Sequence, residues 1–180
     1  MKRFKSFLLE SIGGESGYST CIKDVDADLF TSISKLGMNY LDNYMKLRDV
    51  IINCCFQFER NEMPVIAQVQ LNDFQNYIKT VTGKHCEYQS VSCNTLKPIQ
   101  DNIYLDKILK MMPNGISELT KSKLICSSDN YIIDGHHRYA CVMLINPEAL
   151  QSIFRVPVPV EELLTLAIQF SDKQGNERNQ

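Results

Sequence analysis

The sequence predicts an α/β (α+β) chain, a small mixed sheet with flanking helices and an N-terminal helical extension. Three observations carry that expectation. Apolar residues recur at threes and fours through the first half. The second half alternates short β-branched runs with helical stretches. Between them stand Gly, Pro, Asn and Asp, the residues that turns require.

The chain has 180 residues, enough for one domain with a sizeable core and an appended helical part. Its 44% hydrophobic and 22% charged residues are those of a globular protein. No apolar run approaches the roughly 18–20 residues needed to cross a bilayer, which argues against a membrane partner. Nineteen basic and twenty-one acidic residues give a formal charge of -2, so contact with DNA requires a local patch rather than a global field. The seven cysteines are odd in number, with Cys54 and Cys55 adjacent and no spacing suited to zinc. They point to a reduced, cytoplasmic setting. His85-Cys86, with no second pair at metal spacing, reads as a surface imidazole beside a buried thiol.

Taken in order, residues 1–25 read as a leader and linker: a basic start, an apolar cluster (Phe4, Phe7, Leu8, Leu9) and a Gly- and Ser-rich stretch. The cluster is too short for an export signal. Residues 26–84 read as a helical extension. Leu29, Phe30, Ile33, Leu36, Tyr40, Leu41, Tyr44, Leu47 and Ile51 predict one or two helices ending at Met63-Pro64. The apolar run "VIINCCFQF" within them is best used to cover the core. Phe74, Tyr77 and Ile78 predict another helix, stopped near Gly83.

Residues 85–170 carry the sheet. "EYQSVSC" reads as a strand, and "DNIYLDKILKMM", with Ile103, Leu105, Ile108, Leu109 and Met112 on its apolar face, as a helix closed by Pro113-Asn114-Gly115. "KLICSS" and "YIID" are strands around a Ser128-Asp129-Asn130 turn. A helix follows from His136 to Leu144, ended by Asn146-Pro147. "IFRVPVPV" reads as an edge strand because of its prolines, and "VEELLTLAIQF" as a last amphipathic helix. Residues 171–180 form a polar tail, expected to fray.

The stretch "YIIDGHHRYACVMLI" concentrates the chemistry. Asp134 stands where a helix N-cap would. Gly135 permits a sharp turn and a close approach to the backbone. First-turn N–H groups and the helix dipole favour an anion, and His136, His137 and Arg138 add donors at the same place. Five such residues in succession predict a phosphate cradle. Side chains adjacent on a helix point about 100° apart, so joint chelation of one metal by the two histidines is awkward.

"YIIDGHHRYA", preceded by "VSCNTLKPIQDNIYLDKI", resembles the ParB and sulfiredoxin superfamily, in particular phage-type ParB-like nuclease domains. The resemblance spans roughly Tyr88 to Phe170 and implies that 85–170 is a nucleotide-binding domain whose motif holds phosphates. Sulfiredoxins carry a reactive cysteine where this chain has His136. Chromosome-partitioning ParB proteins carry Glu and Arg at His136 and His137, then a helix-turn-helix module for which the roughly 35 residues after Ile145 are too few. Asp134 to Arg138 is similar to the Asp-Gly-His-His-Arg of the free serine kinases. Those kinases use an upstream glutamate as base, and this chain aligns Gln100 there. Glutamine takes no proton at neutral pH, so either Asp101 or Asp134 substitutes for it or the chain is not such a kinase.

These readings make Asp134, His136, His137, Gln100 and Asp101 the candidate catalytic residues. Gly135, His136, His137, Arg138 and Lys97 become the candidate phosphate or nucleotide ligands. Lys97 belongs to a basic rim with Lys107, Lys110, Lys121 and Lys123. The implied cofactors are ATP, ADP or CTP, with Mg held through Asp134. Either nuclease or kinase chemistry on nucleotide or DNA follows, or a non-catalytic binding or counter-defence role. Residues Met1 to Ser11 resemble the capsid-targeting leader of internal head proteins of tailed phages, cut after a Leu-x-Glu pattern (Leu8-Leu9-Glu10). That likeness places the chain in the cytoplasm of an infected cell or inside the virion.

Overall fold

The computed structural model describes residues 21–24, 38–56 and 58–176. Residues 1–20 and 25 of the leader and linker, the helical reading over 26–37, the side chain of Leu109 and the last four residues lie outside them. Helices α1 (Met38–Ile52), α2 (Leu71–Thr82), α3 (Leu105–Met111), α4 (Gly115–Lys121), α5 (His136–Ile145) and α6 (Val160–Lys173) surround strands β1 (Glu87–Ser92), β2 (Lys97–Pro98), β3 (Leu124–Cys126), β4 (Tyr131–Asp134) and β5 (Leu150–Arg155). The α/β expectation holds, and the sheet is mixed, in the order β1-β5-β3-β4-β2. β1 is antiparallel to β5, β5 parallel to β3, β3 antiparallel to β4, and β4 parallel to β2.

Alternation along the strands splits the core in two. Leu124, Cys126, Ile132 and Ile153 face one way, onto Tyr44, Leu47, Ile108 and the apolar length of α5. Ile125, Ile133 and Phe154 face the other, onto Phe74 and Ile78 of α2 and Leu163 and Phe170 of α6. Helices therefore cover both faces of the sheet, and α5 is buried nearly all round, from Tyr139 to Leu144. No helix among the described residues is long and apolar enough to cross a membrane.

Four expectations need correcting. α1 stops at Ile52 rather than Met63, because the chain beyond it docks along the segment after β2. Cys54 Sγ donates to the Pro98 carbonyl at 2.6 Å, Phe58 N–H to Ile99 O at 3.1 Å, and Asp101 N–H to Phe58 O at 3.3 Å. Backbone groups spent this way cannot continue a helix. Gly115, expected only to close the preceding helix, also opens α4; at φ 77° and ψ 158° it redirects the chain straight into another helical turn. β5 is an interior strand, paired on both sides, since Pro157 and Pro159 fall beyond its last residue. The tail is helical through Lys173, and the Asn176 amide donates to Val65 O at 2.8 Å.

The Ser128–Asn130 turn behaves as expected, with Asn130 at φ 72°. Arg155 holds it from the neighbouring strand, donating to Ser127 O (2.7 Å), Asn130 Oδ1 (2.8 Å) and Gln89 Oε1 (2.7 Å). Arg155→Ala should lower the unfolding free energy by about 1–2 kcal/mol, read as a lower urea midpoint. Arg155→Lys should recover little of it, because an ammonium cannot reproduce the planar fork. An unchanged midpoint in the alanine variant would show that the clamp is idle.

Candidate functional site at the strand-to-helix turn

Between β4 and α5 the chain turns on Gly135, at φ 98° and ψ 21°. Gly135 itself, not Asp134, is the N-cap residue. Its carbonyl receives the Tyr139 N–H at 2.9 Å, while Asp134 ends β4 and no side chain caps the helix. A one-residue register shift between β3 and β4, from Ile125 opposite Asp134 to Cys126 opposite Ile132, lies beside it. Such bulges re-aim the side chains next to them. A side chain is disfavoured here: φ is positive, and a Cβ would run into the Leu124 side chain and approach an Arg138 guanidinium nitrogen at 3.3 Å.

Both imidazoles at the head of α5 have definite partners. His136 is buried at 3% exposure, and its Nε2 accepts the backbone N–H groups of Ile99 (3.2 Å) and Gln100 (3.3 Å). His137 Nε2 accepts the Tyr104 N–H at 3.1 Å, with the Tyr104 ring stacked on the imidazole. Tyr139 donates its hydroxyl to Leu96 O at 3.2 Å. Three side chains of one helix thus buckle down residues 96–104, which have little secondary structure of their own.

A nitrogen that accepts a hydrogen bond carries no proton, so in this geometry the His136 ring is neutral and protonated at Nδ1. For His136 the electrostatics agree. Burial, reinforced by neighbouring His137, pushes its pKa down to about 3, against an opposing hydrogen bond with the Ile132 backbone. His136 therefore carries no positive charge toward a phosphate at neutral pH. Arg138 brings a guanidinium to the same turn, and its Nη1 donates to Lys123 O at 3.2 Å. Burial lowers the Arg138 pKa and nearby Asp134 opposes the shift, but an arginine stays charged through any such change.

A cavity of about 130 Å³ opens at this turn. Asp134, Gly135, His136, His137, Arg138 and Gln100 supply its polar wall, and Met63, Pro64, Met111 and Ile133 its apolar one. The structure so brings together six of the eight residues singled out in the sequence. The other two stand apart from the cavity. Asp101 is ion-paired with Lys23 at 2.6 Å, and its Oδ1 is buried with no hydrogen-bond partner among the described residues. Lys97 lies over the Tyr131 ring, 4.9 Å from its centroid.

Several lysines of the expected basic rim have contacts of their own. Lys107 and Lys123 lie over Tyr104 and Tyr88, and Lys121 pairs with Glu118. Met63, Pro64 and Met111 enter the cavity unannounced, because Met63-Pro64 reads in sequence only as a helix end. Among the described residues no group of three or more His, Cys, Asp or Glu is placed to hold a metal ion. No family model, curated protein or solved structure matches the chain.

Proposed function

We propose that the chain binds a phosphate-bearing ligand, a nucleotide or the end of a nucleic-acid strand, at the Asp134–Arg138 turn. One observation carries the reading above the others. The guanidinium of Arg138 and the N-terminal end of the ten-residue helix α5 line one cavity. An N-terminal turn presents N–H groups and the positive end of a dipole, and arginine adds a bidentate grip on phosphate. The reading agrees with what the resemblance to the ParB and sulfiredoxin superfamily implies. The histidines support it by positioning residues 96–104 beside the cavity, and neutral His136 adds no charge of its own. A setting inside an infected cell or a virion rests on the leader, Met1 to Ser11, which lies outside the described residues.

Phosphoryl chemistry, by kinase or nuclease, is the second reading. It is favoured by the presence of Asp134 and Gln100 in the same cavity wall. Asp134 would orient a nucleophile or hold a Mg ion, and with Asp101 tied to Lys23 it is the carboxylate at hand for proton transfer.

Thermal unfolding with inorganic phosphate, ATP, ADP or CTP, with and without Mg, tests the binding. A ligand at about a hundred times its Kd should stabilise the native state by about 2.7 kcal/mol, a rise of roughly 5–10 °C in Tm. Arg138→Ala should abolish the rise. Absence of any rise in the unmodified chain would overturn the proposal. Nucleotide turnover that is lost in Asp134→Asn would establish catalysis, and binding without turnover would leave an accessory module.

A further inference from the structure

Arg138 and Met111 line a second cavity as well, of about 510 Å³ against about 130 Å³ for the one at the turn. The smaller volume suits a phosphoryl group and little else. The larger falls within the roughly 300–1,000 Å³ of pockets that hold small organic ligands. Its remaining walls come from one side of α4 and its flanks, where Asn114, Glu118 and Ser122 recur at fours. Leu119 and Met111 complete it with apolar surface.

The donors wanted by these walls define the occupant. A carboxylate only accepts hydrogen bonds, so Glu118 asks for hydroxyl or amino groups. One of its oxygens meets Lys121 at 2.6 Å in an exposed pair. Such pairs hold weakly and yield readily to a ligand. Asn114 offers an amide and Ser122 a hydroxyl, and the carbon face of a ring can lie on Met111 and Leu119. A nucleic-acid strand fits poorly, because it would carry a further phosphate toward Glu118.

We infer that the ligand is a small phosphate monoester with a hydroxylated body, a sugar phosphate or a nucleoside monophosphate. Its phosphoryl group would lie at the turn, its body in the larger cavity against Glu118, and Arg138 at the joint. This deepens the phosphate-binding reading and rests on it.

Calorimetric titration of the full chain with inorganic phosphate, ribose 5-phosphate, AMP and a short single-stranded oligonucleotide tests it. At least one monoester should bind tenfold or more tightly than inorganic phosphate. Preference for AMP would identify a nucleoside body, and equal affinity for the two esters a bare sugar phosphate. Glu118→Gln should shrink the ratio of monoester to phosphate affinity toward one while inorganic phosphate still binds. Equal affinity for phosphate and both esters, an unchanged ratio in Glu118→Gln, or tightest binding by the oligonucleotide would each overturn this inference and leave phosphate binding standing. Failure of all four ligands to bind would instead overturn the phosphate site itself.

Discussion

Replacing His136 with leucine should lower the unfolding free energy by about 3–4 kcal/mol, although the variant leaves no large void. The Ile99 and Gln100 N–H groups both end on His136 Nε2, and leucine would leave them facing an apolar side chain. An unsatisfied buried donor costs about 1–3 kcal/mol. Denaturant titration measures the loss, and a value below about 1 kcal/mol would mean that the two N–H groups find other acceptors. His136→Gln, which keeps an acceptor, should recover part of it.

The same residue imposes a pH dependence. Its pKa falls to about 3 in the folded protein, below the usual 6.5. The unfolded chain therefore binds the proton more readily, and stability rises with pH through this group. The contribution is fully present above the unfolded value and is lost progressively as pH falls toward the folded one. By pH 5 the loss through this histidine should reach about 2 kcal/mol. Carboxylates titrate nearby, so the quantity to measure is the difference between the unmodified chain and His136→Leu from pH 8 to pH 5. Parallel curves would refute the assignment.

Gly135→Ala should cost about 2–4 kcal/mol, seen as a Tm lower by roughly 5–12 °C. Two terms combine: a positive φ of 98°, which side chains rarely adopt, and a methyl group driven into Leu124. Gly83 separates them. It too has positive φ, at 72°, but nothing lies within 4 Å of its absent Cβ. Gly83→Ala should therefore show the backbone cost alone, about 1–2 kcal/mol. Equal losses at the two glycines would remove the steric argument at Gly135.

What could be read from sequence divides along physical lines. Where a turn residue dictates its own backbone, the expectation stands. Gly83 stops α2, Asn130 takes the left-handed turn, and Gly135 separates β4 from α5. Where the cause lies far along the chain, sequence reading fails. The apolar periodicity around Ile51 says helix, yet the segment after Ile52 answers to Pro98 and Ile99, more than forty residues on. The prolines after Arg155 suggested an edge strand, but strand order depends on partners that no local pattern reveals. The histidines show the same division. Their place at a helix start was visible in the sequence; that both would accept N–H groups from residues 99–104 was not.

The strand order also sets a timetable for a chain made from its N-terminus. Among the described residues, β2 pairs with β4 and β1 with β5, so neither early strand has a sheet to join when it emerges. The hairpin of β3 and β4 is the first local pairing, and α5 follows at once with the side chains that gather residues 96–104. β1 must wait until Leu150 to Arg155 have been made. Until then two short strands are open to other nascent chains, and Glu87 on one and Lys97 on the other, both exposed, put charge where such mispairing would begin.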